Sequence, residues 1–170
     1  MMKDYNNLEW YSQERKEHYA RINTSKEKQI GDEGESIAKN WFIANGYKVK
    51  ESSPNQDASH HADFYIMVDG EWKSVDVKYK KKFYIELINK WGNYGWIYKG
   101  ADYIFQMFQQ GGYWDTNTAY LYKREHMVRF MQDNIALFSD RFCTKSGKCK
   151  LWEVYPIRIK YMTFLKKIKL

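Results

Sequence analysis

Cysteine is nearly absent. The chain has two, Cys143 and Cys149, which flank Thr-Lys-Ser-Gly-Lys, with no further Cys or His nearby to complete a zinc site. Reduced bystander thiols are the expectation, with neither a disulfide framework nor a zinc centre. Long apolar runs are missing too, since nothing approaches the roughly 20 residues of a membrane span. The first residues, Met-Met-Lys-Asp-Tyr-Asn-Asn, lack the apolar core of a signal peptide. A soluble, intracellular protein of the cytoplasm, with no membrane partner, is therefore expected. Internal repeats and low-complexity linkers are also absent, and 170 residues suffice for one domain with a sizeable core.

What the chain has in excess is positive charge and aromatic rings. Its formal net charge is +7, and 18% of its residues are Phe, Trp or Tyr. Lys and Arg neutralise phosphates and aromatic rings stack on bases, so the combination suits a nucleic-acid partner. A ribosomal or membrane-surface protein would share that composition, so the decision falls to local motifs.

The most informative of these is a hairpin. Ala62-Asp63-Phe64-Tyr65-Ile66-Met67-Val68 and Glu71-Trp72-Lys73-Ser74-Val75-Asp76-Val77-Lys78 both read as strands. Between them stands Asp69-Gly70, a dipeptide suited to a two-residue turn because Gly, and to a lesser degree Asp, tolerates positive φ. A two-residue loop pairs Val68 with Glu71, Phe64 with Val75 and Asp63 with Asp76, and puts Lys78 on the face of Asp76. Opposed carboxylates repel in a sheet, and a divalent cation between them converts that cost into a site. Acid-x-Lys spacings also occur at Glu14/Lys16 and Glu71/Lys73, but only Asp76/Lys78 has an acid across from it. The competing reading is a surface hairpin whose acids are merely solvated. His60 and His61 precede Asp63 closely enough to touch a phosphate, yet loop histidines are more often solvated, and they stay outside the core site.

Around the hairpin the chain organises simply. Residues 1–23 read as a polar, helix-compatible arm with a thin apolar stripe (Leu8, Tyr11, Tyr19), and 24–170 as a single domain. A helix is predicted from Thr24 or Ser25 to Asn45, with Ile30, Ile37, Ala38, Trp41 and Ala44 at three- and four-residue steps and Gly46 as its left-handed stop. Tyr47–Glu51 resembles a strand. Lys80, Lys81 and Lys82 continue the second hairpin strand as a solvated edge or a phosphate track. Residues 87–100 are expected to loop over the site. Ala101–Phe108 and Thr118–Tyr122 read as strands and Lys123–Asn134 as a helix. From Leu151 the chain begins strand-like, and after Pro156 it turns basic and amphipathic.

Gly31-Asp32-Glu33-Gly34-Glu35 on the helix, then Ala62-Asp63, then Val75-Asp76-Val77-Lys78 after the hairpin: this succession resembles the PD-(D/E)XK nuclease superfamily, nearest in pattern to its Holliday-junction-resolvase-like and phage-type members. The resemblance spans residues 28 to 82. It departs in Ala62, where the name-giving proline would stand, and in Asp76 as the second acid instead of Glu. The family implies an α/β restriction-endonuclease-like fold, a central mixed sheet of four or five strands flanked by helices. It implies that Asp63, Asp76 and the backbone carbonyl of Val77 bind Mg²⁺, with Mn²⁺ as a substitute. Lys78 would lie near the attacking water, and Glu35 would hold a water or a second cation. For Glu35 the alternative is a helix acid balancing the dipole. The implied activity is a DNA endonuclease, with branched DNA as a candidate substrate and Lys80, Lys81 and Lys82 contacting the nucleic acid. A homodimer is expected, because cutting two strands needs two centres and aromatics outside the motif are in surplus. The alternatives are a catalytically inactive DNA-binding accessory protein with the same fold and an RNA-binding protein acting through charge alone.

Overall fold

The computed structural model of the chain describes residues 26–53, 61–89, 92–98, 100–134, 142–145 and 149–170, with backbone alone at 142–145 and 149–150. Its elements in order are α1 (Lys26–Ala44), β1 (Val49–Glu51), β2 (Phe64–Val68), β3 (Glu71–Lys80), β4 (Phe83–Ile88), a 3-10 turn (Trp96–Tyr98), β5 (Tyr103–Phe108), β6 (Thr118–Lys123), α2 (Arg124–Asp133), β7 (Phe142–Lys145), β8 (Cys149–Val154), a second 3-10 turn (Pro156–Tyr161) and β9 (Lys166–Lys169). The arm expected over residues 1–23 lies outside the described residues, as does Glu14/Lys16.

The central hairpin forms in the expected register as far as Phe64, but Asp63, expected opposite Asp76, lies before β2 and donates its N–H to Val75 O. Phe64 pairs with Val75 and Val68 with Glu71. Asp69 and Gly70 both take positive φ, 51° and 83°, which is the signature of a type I′ turn. β3 then pairs in parallel with β5, from Val75 opposite Tyr103 to Lys80 opposite Phe108. At the start of that pairing the Asp102 carboxylate accepts the N–H and the hydroxyl of Ser74, both at 2.8 Å. The full sheet is mixed and six-stranded, in the order β1-β2-β3-β5-β6-β9.

One face of this sheet carries Phe64, Ile66, Val75, Phe105, Met107 and Leu121, which pack against Ala38 and Phe42 of α1. The helix ends with the double hydrogen bond of a Schellman motif: Tyr47 N–H to Phe42 O at 3.0 Å and Gly46 N–H to Ile43 O at 3.0 Å, with Gly46 at φ 83°. Where α1 crosses β3, a Cβ placed on Gly34 would lie 2.6 Å from the Cβ of Tyr79. The absence of a side chain at Gly34 is what lets the helix sit so close to the strand.

The opposite face is covered by a second sheet of three strands, ordered β4-β8-β7. Phe83 and Ile85 of β4 and Trp152 and Val154 of β8 pack with Ile104, Phe108, Tyr120 and Tyr122 of the large sheet, and α2 adds Met127 and Met131. Three sequence expectations change here. The central sheet has six strands, not four or five. Residues 87 and 88, expected in a loop, end β4, because Phe83, Ile85 and Leu87 alternate with Tyr84 and Glu86 and match β8. The basic C-terminal segment forms a 3-10 turn and then β9, an edge strand of which only Ile168 is buried. Of the aromatic segments taken to favour a dimer, Leu8–Tyr19 lies outside the described residues, and Tyr94, Tyr98 and Tyr161 in the other two stay exposed.

The Gly34–Tyr79 crossing makes a test. Gly34→Ala is expected to destabilise the protein by about 1–3 kcal/mol through overpacking. Gly31→Ala, whose Cβ would meet nothing within 4 Å, is expected to stabilise it by up to about 1 kcal/mol through helix propensity. Equal denaturant midpoints for the two variants would contradict the close crossing.

Candidate active site

β2 begins at Phe64, opposite Val75, so residues 76–80 of β3 extend past the end of their antiparallel neighbour. On the other side those residues remain paired with β5. The uncovered edge forms one wall of a cleft of about 270 Å³, and α1 forms the facing wall through Glu27, Ile30, Gly31 and Glu35. His61, Asp63, Asp76, Val77, Lys78, Tyr79 and Lys80 complete the lining. The structure thus brings together Glu35, Asp63, Asp76, Val77, Lys78 and Lys80, which the sequence nominated from separate segments.

Asp63 is held at three points. Its N–H donates to Val75 O at 2.9 Å, and its C=O accepts from the Ser52 hydroxyl at 2.9 Å. Its Oδ2 accepts the Val77 N–H at 2.6 Å, occupying the place that a longer β2 would have filled with a carbonyl. Because a strand residue turns its N–H and C=O to the same side, the Val77 carbonyl also faces the cleft. Two residues earlier, His61 sits in the left-handed region at φ 49°, a conformation that non-glycine residues adopt at a cost of roughly 1–2 kcal/mol.

Asp76 is almost fully buried, with its side chain 5% exposed, and its Oδ1 accepts from Lys78 Nζ at 2.7 Å. Lys78 Nζ also lies 4.9 Å from the centre of the Trp96 ring. Trp96 is delivered there because the chain after β4 folds back: Gly95 N–H donates to Leu87 O at 2.8 Å. A Cβ on Gly95 would lie 2.0 Å from the Glu86 carbonyl oxygen, so only glycine fits. Arg124, at the start of α2, anchors the same region by donating to Ile97 O and Ala101 O, both at 3.0 Å. The segment expected to loop over the site therefore does place one aromatic ring on its lysine.

The electrostatics follow from this crowding. Burial raises the Asp63 carboxyl well above the usual range, and the Asp76 charge raises it further; Lys78 and the Val77 N–H oppose this, and Glu35 adds to it. Burial alone would lower the Lys78 ammonium, but Asp76 and Asp63 outweigh it, with Glu86 contributing, so it stays protonated above its ordinary value. The Tyr122 phenol is held well above its ordinary value by burial and then by Asp76. Its hydroxyl is buried without a hydrogen-bond partner among the described residues. Four carboxylates of the cleft (Glu27, Glu35, Asp63, Asp76) face two lysines (Lys78, Lys80). The result is a local negative excess inside a chain of net +7.

That donor set suits a hard cation. Two carboxylates and a backbone carbonyl are oxygen ligands of the kind Mg²⁺ and Mn²⁺ take, with waters filling the remaining positions. A carboxylate has about four acceptor sites, so contacts to Val77 and Lys78 leave both acids able to bind an ion. Among the described residues, no three His, Cys, Asp or Glu side chains are gathered closely enough to cage a metal on their own. Glu35, half-buried, acts on Asp63 from across the cleft.

The other nominees are placed as follows. Glu71 and Lys73 form an exposed ion pair at 2.5 Å, toward the turn end of β3. Lys81 is exposed beyond β3, and Lys82 pairs with Glu153 of β8 at 3.2 Å. His60 lies outside the described residues. Sequence reasoning missed Glu27, Glu86, Trp96 and Tyr122. Glu27 was findable, since Glu27, Gly31 and Glu35 recur at four-residue steps on one helix face; the other three reach the site only through tertiary packing. Comparison with protein-family profiles, with curated proteins and with solved structures finds no match for the chain.

The crowding around Asp63 generates a pH prediction. A folded carboxyl that keeps its proton to higher pH than the unfolded one makes wild-type stability fall as pH rises from about 4 upward. Asp63→Asn removes that loss while retaining an acceptor for the Val77 N–H. In EDTA, the variant is expected to melt above wild type at pH 7.5, with the gap closing toward pH 4. A gap that does not change with pH would contradict the raised carboxyl.

Proposed function

We propose that the protein is a Mg²⁺-dependent DNA endonuclease that hydrolyses phosphodiester bonds at the β3 edge, of the kind its resemblance to the PD-(D/E)XK superfamily implies. The observation that carries the reading is the anionic cleft in a basic chain. A phosphate has no favourable approach to four carboxylates unless a cation lies between them, whereas the rest of the protein attracts it.

Asp63, Asp76 and the Val77 carbonyl are the groups that would hold the ion. Bound there, Mg²⁺ (or Mn²⁺) supplies Lewis-acid polarisation of a phosphoryl oxygen and lowers the pKa of water. The protein's own residues do the rest. Lys78, kept as an ammonium by its ion pair, cannot serve as a base. Its role is a fixed positive charge that stabilises the extra negative charge of the pentacovalent transition state. Trp96 shields that ammonium on one side and limits its mobility. Glu35, across the cleft, orients a water as hydrogen-bond acceptor. Water adds to phosphorus, the bond to O3′ breaks, and the products are a 5′-phosphate and a 3′-hydroxyl. Lys80, exposed at the cleft rim, contacts the neighbouring phosphate.

Incubation with labelled duplex, flap, junction and single-stranded DNA in Mg²⁺ is the test. Cleavage of at least one substrate is expected, abolished by Asp63→Asn or Asp76→Asn and reduced by several orders of magnitude by Lys78→Ala. Lys80→Ala is expected to weaken duplex binding and reduce the slope of log affinity against log salt by about 0.9. Mg²⁺ at ten times its Kd should stabilise wild type by about 1.4 kcal/mol, or roughly 3–6 °C, and leave both asparagine variants unmoved. DNA binding without cleavage by wild type would reject the enzyme in favour of an accessory protein.

A further inference from the structure

Beyond β3, the cleft end of the molecule carries a second built feature. Glu153 of β8 is buried, yet it is fully engaged: Lys82 Nζ approaches its Oε1 at 3.2 Å, and the Tyr113 hydroxyl donates to the same carboxylate. Lys82 also sits 5.9 Å from the ring centre of Tyr84 and 6.0 Å from that of Tyr113. Tyr113 is thereby fixed at its hydroxyl end while its ring stays out in solvent. It is 48% exposed, and Tyr155, immediately after β8, is 37% exposed. The two rings lie parallel, 11° between planes and 6.1 Å between centres.

Two exposed aromatics lying parallel, one of them anchored by a buried carboxylate, are not explained by core packing. The other exposed pair, Tyr94 and Tyr98, crosses at 64° and offers no flat stack. The loop bearing Tyr113 is locked to the lysine turn: Gln109 N–H donates to Lys80 O at 3.1 Å, and a Cβ on Gly112 would lie 2.0 Å from Lys81 O. At about 3.3 Å of rise per strand residue, Lys82 lies no more than about 13 Å beyond Lys78. That span equals roughly four nucleotide steps of a duplex strand. Lys80 and Lys81 occupy the interval.

We propose that Tyr113 and Tyr155 form a stacking platform for an unpaired base of the DNA strand that is bound at the carboxylate cleft. Rigid aromatic faces bind any base through its π-surface, and adjacent lysines hold the flanking phosphates. A base inside an intact duplex has no free face to offer. The platform therefore selects DNA with unpaired nucleotides near the scissile phosphate, such as flaps, junction arms or single strands, over blunt duplex. This rests on the endonuclease reading for the identity of the strand, but its test does not depend on cleavage.

Affinities for single-stranded and blunt duplex oligonucleotides are measured with Ca²⁺ in place of Mg²⁺, so that a hard cation screens the cleft carboxylates, with 2-aminopurine placed at successive positions of the single strand. Wild type should quench the fluorophore at a restricted set of positions. Tyr113→Ala and Tyr155→Ala should each lower the ratio of single-stranded to duplex affinity by roughly 5- to 150-fold per stacked base. Tyr155→Phe, which keeps the ring, should hold that ratio within about twofold of wild type. Unquenched 2-aminopurine at every position, or an unchanged ratio in folded alanine variants, overturns the platform. If the alanine variants fail to fold, wild-type quenching alone decides. Absent cleavage in Mg²⁺ together with a fallen ratio would reject the nuclease reading and leave the platform standing; cleavage with an unchanged ratio would do the reverse.

Discussion

β3 is ten residues long, while β2 accompanies only its first five. That mismatch exposes the backbone of residues 76–80 along one side while β5 keeps them straight on the other. A bare strand edge invites pairing with another chain, and this molecule prevents it locally. The Asp63 carboxylate takes the Val77 N–H, α1 closes over the gap through the bare backbone of Gly34, and two lysines stand at the rim. The same arrangement makes the cleft. The end of β2, the Gly34 crossing and the carboxylate pair are therefore a single construction.

The electrostatics of that construction oppose the stability of the metal-free protein. Burial and then the neighbouring Asp76 charge raise the cost of ionising Asp63, and Lys78 offsets this only in part. The stacked core from Phe83 to Trp152 backs the large sheet on the face away from α1. Natural proteins retain such unfavourable groupings where something else uses them. A hard cation and a phosphate answer both signs of the charge present, negative in the cleft and positive around it.

Much of this was legible in the sequence because it is local. Asp69-Gly70 fixed the turn, strand alternation fixed the register, and two residues of separation put Lys78 beside Asp76. Gly46 marked the end of α1. What was not legible depends on pairings far apart along the chain. Phe83 meets Val154, a partner 71 positions away, so the strand alternation in β4 could not be distinguished from a loop without knowing that β8 exists. β9 hides its single buried residue, Ile168, among lysines. Trp96 reaches Lys78 only because Gly95 lets the chain fold back on β4, and nothing in its spacing announces it. Lys82 reads in the sequence as one more phosphate contact, and nothing in its spacing announces the ion pair with Glu153 that also ties the lysine turn to the second sheet.

The most direct measurement is the location of a bound metal. Crystals soaked in Mn²⁺ and measured at its absorption edge would show where the ion resides through its anomalous scattering. The account predicts one strong peak near 2 Å from carboxylate oxygens of both Asp63 and Asp76 and from the Val77 carbonyl, lost in the Asp76→Asn protein. A peak bound elsewhere, or none at saturating Mn²⁺, would contradict it.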